Sequence, residues 1–150
     1  MKYRMTICMV SLISGLVAVY LHLWKIGKVG TLACATGGSC ELVQASSYGS
    51  FLGVDVALIG AVGYAMLFAV SLLSLQPRAA DARWPTLLLM GLIWPAVLFT
   101  VWLKYGEFVV LRSFCPWCAV SALSITLCAV MVTLDWRRVR GQPLVGTSPA

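Results

Sequence analysis

FCPWCAVSALSITLCAVMVTL, residues Phe114–Leu134, runs for 21 residues without a charge and opens on two cysteines two residues apart. A helix needs roughly 20 apolar residues to cross a ~30 Å hydrocarbon core, so this stretch reads as a membrane span. Three more stretches upstream meet the same length: Thr6–Trp24, Val54–Leu75 and Pro85–Leu103. The fold class that follows is an all-α integral membrane protein. It is a bundle of four transmembrane helices with one long outer loop. Residues 1–140 read as a single membrane domain and 141–150, rich in Gly, Pro and Ser, as a disordered cytoplasmic tail.

Composition agrees. The chain has 150 residues, of which 61% are hydrophobic and 11% charged. Mean hydropathy is +0.93. A soluble domain is about one quarter charged, and so few charges cannot cover a water-facing surface. The net charge of +6 does not point to nucleic acid, because the basic residues flank the apolar runs. Lys2, Arg4, Arg78, Arg83, Arg137, Arg138 and Arg140 fall on one side of a four-span topology, and Lys25, Lys28, Lys104 and Arg112 on the other. The positive-inside rule then makes both termini cytoplasmic. Lys2 and Arg4 before an apolar run also resemble a signal peptide. The run is too long for one and ends in Tyr20, His22 and Trp24 without a small-residue cleavage pattern, so an uncleaved helix is expected.

The outer side then carries the loop 25–53 and the start of the fourth span, and with them four of the six cysteines. In a bacterium that side is the periplasm, where disulfides persist. Cys115-Pro-Trp-Cys118 at a helix start places one thiol on the first turn and the other one turn on. The helix N-terminus favours a thiolate on the exposed cysteine, and Pro116 suits an early helical position. On its own the motif also fits half of a zinc site. The second pair is Cys34-Ala-Thr-Gly-Gly-Ser-Cys40. Two glycines between the thiols allow the loop to open, exchange and reclose, and the spacing equally fits a static staple. The segment Ser39–Ser46 reads as a short helix with Ser39 as its N-cap. Two dithiols on one face suggest a relay through mixed disulfides. The inner pair lies at the membrane boundary, within reach of a lipid-soluble acceptor. No Gly-rich nucleotide loop or haem attachment motif is present, which leaves a quinone as the obvious acceptor class.

Cys34…Cys40-Glu-Leu-Val-Gln-Ala-Ser46…Gly53…Gly60…Tyr64, followed by Cys115-Pro-Trp-Cys118 on the last helix, resembles the bacterial vitamin K epoxide reductase family over about residues 5 to 135. The resemblance implies four helices around a quinone, ubiquinone or menaquinone, capped by the outer loop and its short helix. It implies that Cys118 reacts with the quinone, that Cys115 is its disulfide partner and takes electrons from Cys40, and that Cys34 exchanges with a periplasmic thioredoxin-like (Dsb-type) dithiol protein. Ser46 resembles the family's loop serine, which supports the site by hydrogen bonding. Phe114 and Ala122, beside Cys118 on its helix, are candidates for the quinone site. Asp55 stands where bacterial relatives commonly have proline. It reads either as a solvated end residue or as a proton relay. Ala122 stands where animal enzymes carry a tyrosine, which argues against assuming the animal substrate. The absence of a fused thioredoxin-like domain implies a partner met in trans.

Other residues read as structural. Cys8 and Cys128 lie inside spans and fit packing. His22 fits interfacial anchoring. Gly53, Ala57, Gly60 and Tyr64, with Gly63, form a stripe for close helix approach. Ser121, Ser124 and Cys128 form a mildly polar stripe whose hydroxyls bond back to their own backbone. Pro95 should kink the third span, and Trp117 either shields the disulfide or stacks on a ring.

Three other functions compete. The Dsb-type quinone-linked oxidases run the same overall reaction with the two motifs in the opposite order. A membrane metal-binding or carrier protein would use the four outer cysteines as thiolates for a soft cation. A non-catalytic subunit would hold its disulfides as staples.

Overall fold

The computed structural model describes residues 2–31, 34, 39–79 and 82–141. Within them, four helices are long and apolar enough to cross a membrane. They are α1 (Lys2–Lys25), α3 (Val56–Ser74), α4 (Trp84–Tyr105) and α5 (Pro116–Arg140); the short α2 (Ser39–Ala45) lies in the long loop. The four-span bundle expected from the apolar runs is the fold. The predicted tail 141–150 lies, beyond Gly141, outside the described residues, as does the glycine pair between Cys34 and Cys40.

The helix ends differ from the expected ones for local reasons. Helix α1 stops in a Schellman arrangement. The Lys28 N–H donates to the Leu23 carbonyl and the Gly27 N–H to that of Trp24, both at 2.9 Å, with Gly27 at φ +74°. Helix α3 starts two residues later than expected because Asp55 caps it, accepting the Ala57 N–H at 3.2 Å. The residues before it, Ser50–Phe51 (β1) and Val54–Asp55 (β2), form a two-stranded hairpin. Its turn, Leu52–Gly53, has positive φ at both positions, as a two-residue hairpin turn requires. Helix α4 runs past Leu103 and continues as a π-helical turn, Gly106–Val110. Helix α5 begins at Pro116, capped by Cys115, and runs six residues past Leu134 to Arg140. Helix α2 starts at Ser39 itself, so the N-cap position expected there falls on residue 38, outside the described residues.

Helix α1 lies along α3 more extensively than any other two helices pack. Small residues explain the approach: a Cβ on Gly15 would touch the Tyr64 Cβ at 3.4 Å, and one on Gly60 that of Ala18 at 3.8 Å. The stripe read from the sequence is therefore half of the contact, and Gly15 supplies the other half. Gly63 faces open space. The apolar core draws on all four helices, through Ile7, Leu67, Ile93, Ile125, Cys128 and Val132.

The two ends of the bundle are held by polar groups. At one end, Arg4 of α1 is 2% exposed and gathers the other three helices. Its Nε donates to Asp135 Oδ2 at 2.8 Å, and its Nη1 to the carbonyls of Ser74 and Ala79 at 3.1 and 3.0 Å. Its Nη2 donates to the Ala82 carbonyl at 3.2 Å and to Thr86 Oγ1 at 2.9 Å. Thr86 in turn donates to Asp135 Oδ2 at 2.7 Å. Start of α1, end of α3, start of α4 and end of α5 thus meet at one point, which is the basic end of the bundle. Cys34, Cys40, Cys115 and Cys118 lie at the opposite end.

Candidate functional site

At the cysteine end the loop returns across the bundle. Cys34 and Cys40 form a disulfide with Cα atoms 6.2 Å apart, whereas Cys115 and Cys118 are free thiols. Cys40 and Cys115 are both fully buried and belong to one apolar cluster with Leu21, Val43 and Ala57. Cys34, Cys118, Trp117 and Tyr20 pack at the edge of that cluster. The four outer cysteines are therefore brought together, as expected. Cys8 and Cys128 are buried at 6% and 0% exposure, Cys128 in the core.

The two thiols of Cys115-Pro-Trp-Cys118 differ. Cys115 is the N-cap of α5, and its Sγ accepts the Cys118 N–H at 3.4 Å. The thiol of Cys118 and this N–H hold the Cys115 thiol down at about 7, against the opposing effect of burial. Of the two thiols the lowered one is the buried Cys115, with the Cys118 thiol as the first cause. Cys118 is half-buried and opens onto a cavity of about 100 Å³.

That cavity is enclosed by α1, α2, α3, α4 and α5, and its wall is mostly apolar. Its polar groups are few. Gln44 of α2 points its Nε2 at Cys118 Sγ, 4.0 Å away. Tyr64 of α3 donates to the Ser121 carbonyl at 3.1 Å and shares a hydrogen bond with Ser121 Oγ at 3.0 Å, so this hydroxyl does not bond back as the sequence suggested. Ser124 does, to Val120 at 2.8 Å. Ser14, Tyr48, Thr100, Lys104 and Glu107 also line the cavity. Glu107 is 2% exposed; its Oε1 accepts the Cys115 N–H at 2.6 Å and its Oε2 the Lys104 ammonium at 2.6 Å. A second apolar cavity of about 310 Å³ adjoins the first through Gly60, Tyr64, Thr100 and Leu103. It lies between α3 and α4, with Pro95 in its wall.

Several predicted site residues sit elsewhere. Ser46 does not reach the cysteines. Its Oγ donates to the Val43 carbonyl at 2.7 Å and accepts the Tyr48 N–H at 3.3 Å, which ends α2 and starts the turn Ser47–Gly49. Phe114 and Ala122 line neither cavity. Phe114 stacks near Phe108, with Lys104 Nζ 5.9 Å from its ring. Trp117 lines the first cavity and lies 5.9 Å from the Tyr20 ring. Asp55 is not a solvated end residue: its carboxylate takes His22 Nδ1 at 2.7 Å and Lys25 Nζ at 2.9 Å. Burial pushes its carboxyl up, but the hydrogen bonds from His22, Lys25 and the Ala57 N–H outweigh it and hold the group below its usual range. Neither His22 nor Asp55 lines the described cavities. His22 does more than anchor at an interface: with Lys25 it ties α1 to the cap of α3, while Lys25 also donates to the Gly49 carbonyl at 2.6 Å.

Sequence reading missed Gln44, Tyr48, Gly49, Glu107, Gly106 and Asp135. A signal existed for the two acids, because an ionisable group at or inside an apolar span is seldom idle. Gly106 and Gly49 are glycines for want of space. A Cβ on Gly106 would run into the Tyr48 ring, and one on Gly49 into the Gln44 carbonyl. Among the described residues, no three of His, Cys, Asp and Glu are grouped to hold a metal ion. Residues 5–133 match the family model described as the Vitamin K epoxide reductase family.

Proposed function

The chain belongs to the vitamin K epoxide reductase family of membrane thiol–disulfide oxidoreductases, and on that premise we propose that it is a quinone-linked disulfide-forming oxidase. It reoxidises a thioredoxin-like dithiol protein met in trans, at the periplasmic face of a bacterial inner membrane, with both termini cytoplasmic. The observation that carries the reading is that Cys118 opens into an apolar cavity inside the bundle, while its partner Cys115 packs in the same buried cluster as Cys40.

The cavity suits a quinone. Its wall is apolar with a few polar groups near the thiol, and it adjoins a second apolar cavity between α3 and α4 that suits a prenyl tail. Bound there, a quinone supplies a sink for two electrons and two protons. The chain's own residues do the rest. Cys34 meets the partner's thiolate and forms the mixed disulfide. Cys40, released, passes the reducing equivalents to Cys115. Cys118 faces the acceptor. The state with Cys34–Cys40 closed and Cys115 and Cys118 free is the one in which electrons have reached the inner pair. In that exchange Cys40 is the attacking thiolate and Cys115 leaves as one when Cys34 closes back on Cys40, so a lowered Cys115 thiol makes the better leaving group. Ser46 contributes by holding the end of α2 and with it Gln44.

The test is quinone reduction by the detergent-solubilised protein with a reduced thioredoxin-like donor, for wild type and Cys118→Ala. Activity in wild type that vanishes in Cys118→Ala supports the relay. No activity in wild type across benzoquinones, naphthoquinones and several donors refutes it.

A further inference from the structure

The partly buried ion pair Lys104–Glu107 beside the inner dithiol has no role in the thiol relay itself. Glu107 sits on the π-helical turn, and Lys104 one turn earlier on α4. The carboxylate is bound at both oxygens, to the Cys115 N–H and to the Lys104 ammonium, each at 2.6 Å. Both side chains line the cavity onto which Cys118 opens. A glutamate buried to 2% exposure and paired with a partly buried lysine is a costly choice if it serves stability alone, since apolar groups of similar volume often serve as well.

We propose that Lys104 and Glu107 form the proton path between the inner dithiol and the acceptor, with Lys104 as the proton donor to the quinone oxygen. The inference rests on the quinone reading above and deepens it. The step balances as follows. The S–H bonds of Cys115 and Cys118 break and the S–S bond forms. Two electrons pass to the ring, and one O–H bond forms on each of its two oxygens. The proton leaving Cys115 goes to the Glu107 carboxylate. Lys104 gives a proton to the nearer oxygen. The proton on Glu107 then crosses to Lys104, restoring the ion pair. The proton leaving Cys118 goes to the second oxygen. The cycle needs a side chain that can hand over a proton, which an ammonium can do and a guanidinium cannot.

That difference supplies the test. Lys104→Arg keeps the ion pair but cannot release a proton, and Glu107→Gln keeps an acceptor for the Cys115 N–H but cannot carry one. Both variants and Lys104→Met are compared with wild type for reduction of a short-chain benzoquinone. A second readout needs no quinone: the pH dependence of alkylation of the reduced inner dithiol by iodoacetamide. The charged and titratable groups around Cys115 are Cys118, Glu107 and Lys104. The packed elements α1 and α2 add Tyr20 and the disulfide-bound Cys40. Glu107 opposes ionisation of Cys115, so Glu107→Gln should move the alkylation profile to lower pH. All three variants should lose quinone reduction by about 100-fold, the usual scale of a positioned proton donor, and Lys104→Arg as badly as Lys104→Met. Near-wild-type turnover in Lys104→Arg would reduce the pair to a structural one and overturn the proposal. An unmoved alkylation profile in Glu107→Gln would overturn it as well, and that arm reads even if wild type reduces no quinone, an outcome that sinks the quinone reading instead.

Discussion

Removing Asp135 should unfasten the basic end of the bundle. Arg4 and Asp135 are 2% and 1% exposed, so Asp135→Ala takes a buried carboxylate away from a buried guanidinium. The carbonyls of Ser74, Ala79 and Ala82 and the hydroxyl of Thr86 still accept from Arg4, but Thr86 itself loses its acceptor. Breaking a buried pair by deleting one partner costs about 3–5 kcal/mol. For a chain of this length that corresponds to a fall of about 6–20 °C in Tm. Arg4→Met/Asp135→Leu should lose less than Asp135→Ala alone, because both halves of the Arg4–Asp135 pair are replaced together by apolar groups. Topology should survive, since six basic residues remain on that side against four on the other. The assay is thermal unfolding in detergent followed by a thiol-reactive dye, with Cys115 and Cys118 blocked beforehand. The buried thiols of Cys8 and Cys128 then report the opening of the bundle. A Tm for Asp135→Ala within about 2 °C of wild type, less than 1 kcal/mol on the same scale, would refute the reasoning.

Asp55 should make the cysteine end acid-sensitive. Its carboxyl is held below the usual range, so the stability it contributes is complete above the unfolded value of about 3.9 and fades as pH falls through the lower folded value. Melting curves recorded below about pH 4 should show that loss in wild type and not in Asp55→Asn. Gly106→Ala should cost about 1–3 kcal/mol, because the new methyl meets the Tyr48 ring. Adding Tyr48→Ala should recover part of that loss, and a double-mutant cycle with no coupling between the two would count against the contact. Tyr64→Phe removes both hydrogen bonds to Ser121 and should cost about 1 kcal/mol in chemical denaturation, the net worth of such a bond; no measurable loss would place the hydroxyl outside the native network.

The four spans were legible because each is a long apolar run, with Asp55 near the start of the second as the one charge among them, and little else fits such a run. Their ends were less so. Val54 and Asp55 continue an apolar stretch, yet belong to a hairpin and a cap, and the deciding partners, His22 and Lys25, lie about thirty residues earlier. Arg4 read as a topology signal and is also the hub of the bundle, a role fixed by a partner 131 positions away. The cysteine pairs were legible as chemistry, and the family resemblance set their order. The cavity wall was not. Ala122 and Phe114 each lie four positions from Cys118 in sequence, but neither lines the cavity, and Gln44, Tyr64 and Lys104 arrive from three other elements. Spacing along one helix says which residues share its face; it says nothing of what the other helices bring to that face.

The two polar ends divide the work of the molecule. At the basic end Arg4, Asp135 and Thr86 satisfy one another and the surrounding carbonyls, and they are buried to 2% exposure or less. A network that complete has nothing left to offer a ligand, so its consequence is rigidity and a fixed helix register. At the cysteine end the polar groups are less deeply set, and Gln44, Lys104, Glu107 and Tyr64 all border the space beside Cys118. There, a ligand with two acceptor oxygens would find donors already positioned. The apolar middle of the bundle gives helices no strong reason to hold one register over another. Precision at the thiols therefore depends on the far end being locked, and loosening Asp135 should lower turnover at Cys118 even in the fraction of protein that stays folded.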